Sequence, residues 1–333
     1  MAFYSYIFTA NYKRFSKNLK MVSKKYHKSY IGMMFDTVYS VKKYGIGLTD
    51  YLNYQFYLKT KEERREYAGI KIQNTFYETV SPSQYKERYT IKPRFLKEFS
   101  KYTKRDFLVP DGNNKDEFLK YIKGKDYFMS KPYDGLGGAD VTKVCVKDIK
   151  DLDEYYEYIC ENHLFLEDLV KQHDDLNKLC SASVNTIRIM TFNDHGTPHI
   201  LWAGLRIGNG INSVDNFHAG GMASVIDLNS GKLINPAIDK DLNEYEYHPK
   251  TKTKIVGFKV PYFKEVKEMV KKAALESDKI LVVGWDVAIT PDGPLIIEGN
   301  RRPGFDVVQV ASRRGRMDII RDVLSRVDQN EKK

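Results

Sequence analysis

Asp286 and Glu298 stand in two segments, 281–290 and 294–300, that otherwise read as buried β-strands, and a carboxylate inside such a strand needs a chemical reason. Between them Pro291-Asp292-Gly293 is a hairpin signal. With those three residues as the loop, Thr290 faces Pro294, and the register sets Asp286 opposite Glu298 and Gly284 opposite Asn300. Alternation puts Leu281, Val283, Trp285, Val287 and Ile289 on one face with Leu295 and Ile297, and the two acids on the other. One face then reads as core and the other as chemical. Opposed like charges, with side-chain carbons roughly 5 Å apart, are destabilising, and a shared proton or a cation relieves them. A divalent metal is the economical reading; the alternative is a slipped register with both acids solvated at a sheet edge.

Three further groups could serve phosphate chemistry. After a strand at 127–130 comes Lys131-Pro132-Tyr133-Asp134-Gly135-Leu136-Gly137-Gly138, and a second strand begins near Val141. Glycines in such a loop let backbone N–H groups converge on an anion, and a lysine at the strand end adds a full charge. An ordinary flexible turn reads equally well, and the pattern is not a Walker loop. Arg188 lies within a strand at 183–192, where it could neutralise a transferring phosphoryl group or lie on a half-exposed surface. Asp215-Asn216-Phe217-His218-Ala219-Gly220-Gly221 ends in a glycine pair able to close over phosphates or substrate, and His218 alone is more often structural than catalytic.

The elements that must hold these groups form an α+β pattern. The first 90 residues read as mostly helical, as in 51–67, with a break at Ser81-Pro82-Ser83 and a further helix at 92–102. From Asp126 the chain turns to strands: YFMSKP, ADVTKVCV, LFLEDLV, NTIRIMTF, HILWAGLRI, ASVIDL, ILVVGWDVAIT and LIIEGN. Helices at 151–161 and 261–277 interrupt them. A last one is marked by Ile319, Ile320, Val323, Leu324 and Val327. A largely antiparallel sheet follows, without internal repeats.

The 333 residues, 42% hydrophobic and 29% charged, suffice for two or three cores and exclude a disordered chain. Three cysteines without ligand spacing indicate neither a disulfide framework nor a zinc site, which fits a reducing cytoplasm. No apolar run approaches the roughly 18 to 20 residues of a spanning helix, and MAFYSYIFTA precedes the basic cluster, unlike a signal peptide. The net charge of +10 is unevenly spread: residues 1–110 hold 22 Lys or Arg against 9 Asp or Glu, and 15 of the 24 tyrosines. Such a region suits an acidic membrane surface or an acidic glycan. It is equally readable as a helical subdomain with solvated lysines and tyrosines packed on the main body. No specific nucleic-acid motif is present.

Taken in order, the lysine with its Gly-rich loop, LFLEDLV, Asn-Thr-Ile-Arg, the Gly-Gly loop and the Asp-strand with Glu-x-Asn resemble the ATP-grasp superfamily. The runs LRIGNGINSVDNFHAGGMASVIDLNSGKL and VGWDVAITPDGPLIIEGNRRPGFDVVQ resemble its sugar-transfer-associated branch over residues 92–310. The resemblance implies an ATP-grasp fold of two α+β lobes with ATP between them, at 91–165 and 166–333, behind a basic, helical, tyrosine-rich region at 1–90. It implies that Lys131, Gly135, Gly137 and Gly138 hold phosphates, that Glu167 and the backbone near Leu169 meet adenine and ribose, and that Lys92 is a second nucleotide lysine. The family carries Asp before that lysine, whereas Ile91 stands here. Asn216, His218, Gly220 and Gly221 would form an acceptor and phosphate loop, Arg188 and Arg302 would assist transfer, and Asp286, Glu298 and Asn300 would bind Mg²⁺. The implied cofactors are ATP and two Mg²⁺ ions. The implied enzyme is a cytoplasmic ligase, peripheral at the inner membrane face, that activates a carboxylate as an acyl phosphate. It would join an amine or amino acid to a carboxylate of a cell-surface glycan or its precursor, in polysaccharide biosynthesis. A kinase acting on a sugar hydroxyl and a non-catalytic nucleotide or polyanion binder are the alternatives.

Overall fold

The computed structural model describes residues 12–134, 141–211 and 215–331. Its strands form two sheets. β1 (Phe107–Leu108), β2 (Tyr127–Pro132), β3 (Thr142–Cys145) and β4 (Leu164–Glu167) make a four-stranded sheet in the order β1-β4-β2-β3. β5 (Ile187–Asp194), β6 (Thr197–Ile207), β7 (Met222–Val225), β8 (Ala237–Asp239), β9 (Glu244–Tyr245), β10 (Val282–Thr290) and β11 (Gly293–Asn300) make a seven-stranded sheet in the order β11-β10-β5-β6-β7-β8-β9. Every strand pair among the described residues is antiparallel. The short strands β1, β8 and β9 lack a readable alternation and were not expected from sequence.

The small sheet is covered by helices Lys115–Ile122 and Leu152–Glu161, whose Phe118, Ile122, Tyr156 and Ile159 pack with Phe128 and Leu166. Asp151 fixes the start of the second helix, its carboxylate accepting from the N–H groups of Asp153 and Glu154. The large sheet is covered on both faces. Trp285, Val287, Ile289, Ile187 and Leu205 pack against Phe263, Val266 and Val270 of helix Phe263–Ala274, and against Phe95 and Phe99. The opposite face carries Met190, Phe192, Trp202 and Val282 and packs on helices from both ends of the chain. The face expected to be chemical is therefore divided: apolar along most of its length, and polar where Arg188, Arg206, Asp286 and Glu298 emerge.

The N-terminal region is helical, chiefly in Tyr12–Lys25, Tyr30–Tyr44 and Ile70–Val80. Ser29 caps the second helix at its start and Gly45, at φ +64°, ends it. Segment 51–67 is not one helix. Gln55 adopts the left-handed conformation, and Thr60 with Glu63 opens a new turn as a capping box, so three short pieces result. Likewise the helix expected at 92–102 divides at Phe99 into Lys92–Glu98 and Ser100–Thr103. Tyr44, Tyr51, Tyr54, Tyr57, Tyr67 and Tyr77 are buried together with Phe305, Val308 and Ile320, so these tyrosines pack on the main body.

The β10–β11 hairpin differs in detail from the sequence reading. Its loop has two residues, because Thr290 pairs with Gly293, and the register shifts between Asp286 and Val287. Val287 faces Ile296 while Asp286 faces Glu298, leaving Ile297 as the extra residue of a β-bulge. Asp286 and Glu298 are opposed, as are Gly284 and Asn300. The core position on β11 is Ile296, which is fully buried, and not Ile297.

Candidate active site

Antiparallel pairing of β5 with β10 sets Arg188 directly opposite Asp286. Arg188 Nη2 donates to Asp286 Oδ2 at 3.1 Å, and its Nε lies 2.5 Å from Oδ1 without the alignment of a hydrogen bond. Arg206, two residues beyond the Gly204 that faces Arg188, brings Nη2 to 2.9 Å from Asp286 Oδ2 and 3.3 Å from Asp215 Oδ1. Asp215 in turn accepts from Thr186 N–H at 2.8 Å and from the Thr186 hydroxyl. A chain of alternating charge thus runs Asp215–Arg206–Asp286–Arg188 across three strands. Sequence reasoning missed Arg206 and Asp215 as participants, although alternation from Arg188's partner Gly204 marks Arg206 as facing the same way.

Burial pushes the Asp286 carboxyl up to about 7, the neighbouring Glu298 adds to the rise, and Arg188 and Arg206 oppose it. Burial acts the same way on Glu298, but Arg188, a hydrogen bond from Asp286, Arg206 and Asn300 outweigh it and hold Glu298 below its ordinary value. The opposed acids are therefore relieved by cationic neighbours, while burial disfavours the charge on Asp286. Asn300 Nδ2 donates to Glu298 Oε1 at 3.2 Å.

Asp286 Oδ1 is a buried acceptor with no hydrogen-bond donor. With Glu298 and the Asn300 amide beside it, the donor set is all oxygen, which fits a hard cation such as Mg²⁺ completed by water or phosphate. No group of three His, Cys, Asp or Glu side chains among the described residues could hold a metal. A cation here would accordingly draw on two carboxylates and an amide.

A Cβ on Gly284, opposite Asn300, would lie 2.5 Å from Pro303 Cβ and 3.6 Å from Arg188 Cδ, so the missing side chain makes room for the turn after β11.

A second cluster forms at the small sheet. Lys131 on β2 pairs with Glu167 at the end of β4. Glu167, 3% exposed, also meets Arg105 Nη1 at 3.2 Å. Arg105 was not anticipated, and nothing in its sequence context marks it. Its side chain is 4% exposed, and Nη2 donates to the carbonyls of Ile297 at 3.1 Å and Ile296 at 3.4 Å, the two residues at the bulge. One guanidinium thereby links the carboxylate of the small sheet to the strand that carries Glu298.

Lys92 stands between the clusters. Its N–H donates to Tyr133 O at 2.9 Å and its Nζ to Pro132 O at 3.4 Å. Burial lowers its ammonium, as does Lys131, while Glu298, Asp134 and Glu167 act in the other direction. The structure therefore brings Lys92, Lys131, Glu167 and Glu298 within electrostatic reach. Leu169 is exposed.

The Asp215–Gly221 loop closes on itself, with Asn216 O accepting from the N–H groups of Ala219 and Gly221, both at 3.0 Å. A Cβ on Gly221 would lie 2.1 Å from Asp215 O, so close backbone approach accounts for that glycine. Gly220 O accepts from Asn209 Nδ2 at 3.2 Å. Arg302 is turned toward the N-terminal region, with Nη2 3.5 Å from Ser83 Oγ and a buried Nε that lacks a partner. Gly135, Gly137, Gly138 and the side chain of His218 lie outside the described residues.

Among solved structures, the chain is similar to the ATP-grasp ligase PsnB complexed with minimal precursor (14% identity, 74% of this chain and 64% of that chain, TM-score 0.46). It is also similar to the D-alanine-D-alanine ligase from Coxiella burnetii (11%, 74% and 60%, TM-score 0.42) and to the L-amino acid ligase from Bacillus licheniformis (15%, 68% and 43%, TM-score 0.40). It spans less than two thirds of the length of each of these chains. Nothing matches among curated proteins. The model of the sugar-transfer associated ATP-grasp family matches residues 108–325, from the first strand of the small sheet into the last helix, and the chain belongs to that family.

Proposed function

We propose that the protein is an ATP- and Mg²⁺-dependent carboxylate-amine ligase acting on a glycan carboxylate or its small-molecule precursor. The observation that carries this reading is the opposition of Asp286 and Glu298, with Asn300, Arg188 and Arg206 around them, within electrostatic reach of Lys92, which also feels Lys131 and Glu167. Phosphoryl transfer asks chiefly for positioning and charge neutralisation. Lys131 and Lys92 supply cations for the phosphates of ATP, and Glu167 supplies a buried acceptor at the nucleotide hinge. Arg188 supplies positive charge beside the transferring group. Mg²⁺, held by Asp286, Glu298 and Asn300, would neutralise phosphate charge.

In the first step an acceptor carboxylate oxygen attacks the γ-phosphorus, the bond to the β-phosphate oxygen breaks and ADP departs. In the second an amine attacks the acyl carbon, inorganic phosphate leaves and the nitrogen loses a proton. No protein nucleophile is required. The Asp215–Gly221 loop is assigned to the acceptor and its phosphate, Arg302 to phosphoryl transfer with Arg188, and the N-terminal region to contact with an acidic surface.

Incubation with ATP, Mg²⁺ and panels of uronic acids and amino acids, read by ADP release and product mass, tests the reading. An amide product supports it, whereas a stable phosphorylated sugar formed without an amine would establish a kinase instead. Nucleotide binding without turnover on any panel would leave a binder.

A further inference from the structure

Helix Tyr30–Tyr44 is apolar on two faces, and among the described residues only one of them is covered. Met33, Val41 and Tyr44 are buried, whereas Ile31, Met34, Phe35, Val38 and Tyr39 form a second stripe at helical spacing, with Phe35 74% and Ile31 67% exposed. A contiguous apolar stripe facing water marks an interaction surface. Beside it, helix Tyr12–Lys25 buries Phe15 and Leu19 and turns outward a row made of Lys13, Lys17, Lys20 and Lys24. Tyr30 is the seam, because its hydroxyl lies 3.0 Å from Ser16 Oγ and Lys20 Nζ stands 5.7 Å from its ring centroid. Lys25 and Lys28 adjoin one end of the stripe, Lys42 and Lys43 the other, and all are exposed. The sole acid between residues 12 and 44, Asp36, is held by Arg64 at 2.6 Å and by the Tyr51 hydroxyl at 2.8 Å.

We infer that this surface docks the protein on an anionic lipid bilayer, with the Ile31–Phe35–Val38 stripe entering the headgroup boundary and the lysines meeting acidic headgroups. Charge complementarity selects an anionic partner, and the apolar stripe selects one with an apolar phase, which a dissolved acidic polymer does not offer. The inference specifies the acidic surface assigned above and does not depend on which reaction the ATP site performs.

The test is co-sedimentation of the full chain with vesicles of phosphatidylcholine alone or with about 30% phosphatidylglycerol. It is run for the wild type, Ile31→Ser/Phe35→Ser/Val38→Ser and Lys17→Glu/Lys20→Glu/Lys24→Glu, with circular dichroism and ATP turnover in solution as folding controls. The wild type is expected to bind only the anionic vesicles, with binding weakening between about 0.05 M and 0.5 M salt. Both triple variants are expected to bind at least roughly tenfold more weakly with unchanged turnover in solution. Three results would overturn the inference. The serine variant could bind the anionic vesicles as tightly as the wild type does. The wild type could be a dimer that the serine variant splits, making the stripe a contact between copies. Or vesicle binding could appear only after deletion of residues 2–11, which would make that segment the stripe's cover.

Discussion

Asp286 and Glu298 form a pair whose proton and metal occupancies must compete. With the Asp286 carboxyl raised to about 7, the pair retains a proton below neutrality, and a cation taking the buried oxygen must displace it. Affinity for a divalent ion is therefore expected to rise with pH up to about 7 and to level off above it. Calorimetry with Mn²⁺, which accepts the same oxygen ligands, in buffers of different ionisation enthalpy should show proton release near pH 6 that vanishes well above 7. Asp286→Asn should abolish both the binding and the release; undiminished binding by this variant would remove Asp286 from the metal set. Arg105 offers a separate test. Arg105→Met leaves Glu167 with Lys131 alone and leaves the Ile296 and Ile297 carbonyls without this donor. Breaking such a buried pair costs about 3–5 kcal/mol, read as a lower urea midpoint at unchanged slope, and Arg105→Lys should lose less. Equal midpoints would mean that the bridge contributes nothing to stability. Asp286, Glu298 and Arg188 were legible in the sequence because strand alternation isolates a charge among apolar neighbours. Arg105 was not, because its partners lie on β4 and β11, both far away in the chain.

At the scale of elements, the expected opposition of Asp286 and Glu298 emerged from two departures that cancel. The loop is one residue shorter than Pro291-Asp292-Gly293, and the bulge at Ile297 is one residue longer than a regular ladder. The bulge also resolves a conflict of parity, since Ile296 belongs in the core and Glu298, two residues on, must face the other way. A hydrophobic pattern alone cannot place a bulge, because the carbonyls that recruit Arg105 do not show in side-chain types. Long strands and capped helices were readable from periodicity; the two-residue strands and the breaks at Gln55 and Phe99 depend on tertiary packing. The turn after β11 carries its own expectation. Gly284→Ala would drive a methyl group against Pro303, whose carbonyl accepts from the Tyr77 hydroxyl. Backbone and ring have to move together, at about 1–3 kcal/mol, and the loss should appear as a lower thermal midpoint with perturbed near-ultraviolet dichroism. An unaltered midpoint would show that the turn yields freely.

The molecule as a whole has unequal cores. Phe15, Leu19, Tyr51, Phe56 and Phe76 from the N-terminal helices share one apolar cluster with Trp202, Phe305, Val308 and Ile320. The family match, beginning at residue 108, therefore excludes helices that complete its own core. The small sheet rests instead on a separate cluster of seven buried side chains among the described residues and is tied to the rest by contacts such as the ion pair and carbonyl hydrogen bonds of Arg105. A subunit with little buried apolar area opens at a lower free energy than the main body. Hydrogen exchange should accordingly show β2 and β4 exchanging through a sub-global opening while β5, β6 and β10 exchange only with global unfolding. ATP with Mg²⁺ contacts both lobes in the proposed reaction, so saturating nucleotide should slow β2 and β4 by the factor that mass action predicts, roughly a hundredfold at a hundred times the dissociation constant. Protection confined to β10 and β11 would place the nucleotide on the large sheet alone. Equal exchange of both sheets without nucleotide would show a single cooperative unit, in which Arg105 and the bulge transmit stability as fully as the apolar cluster does.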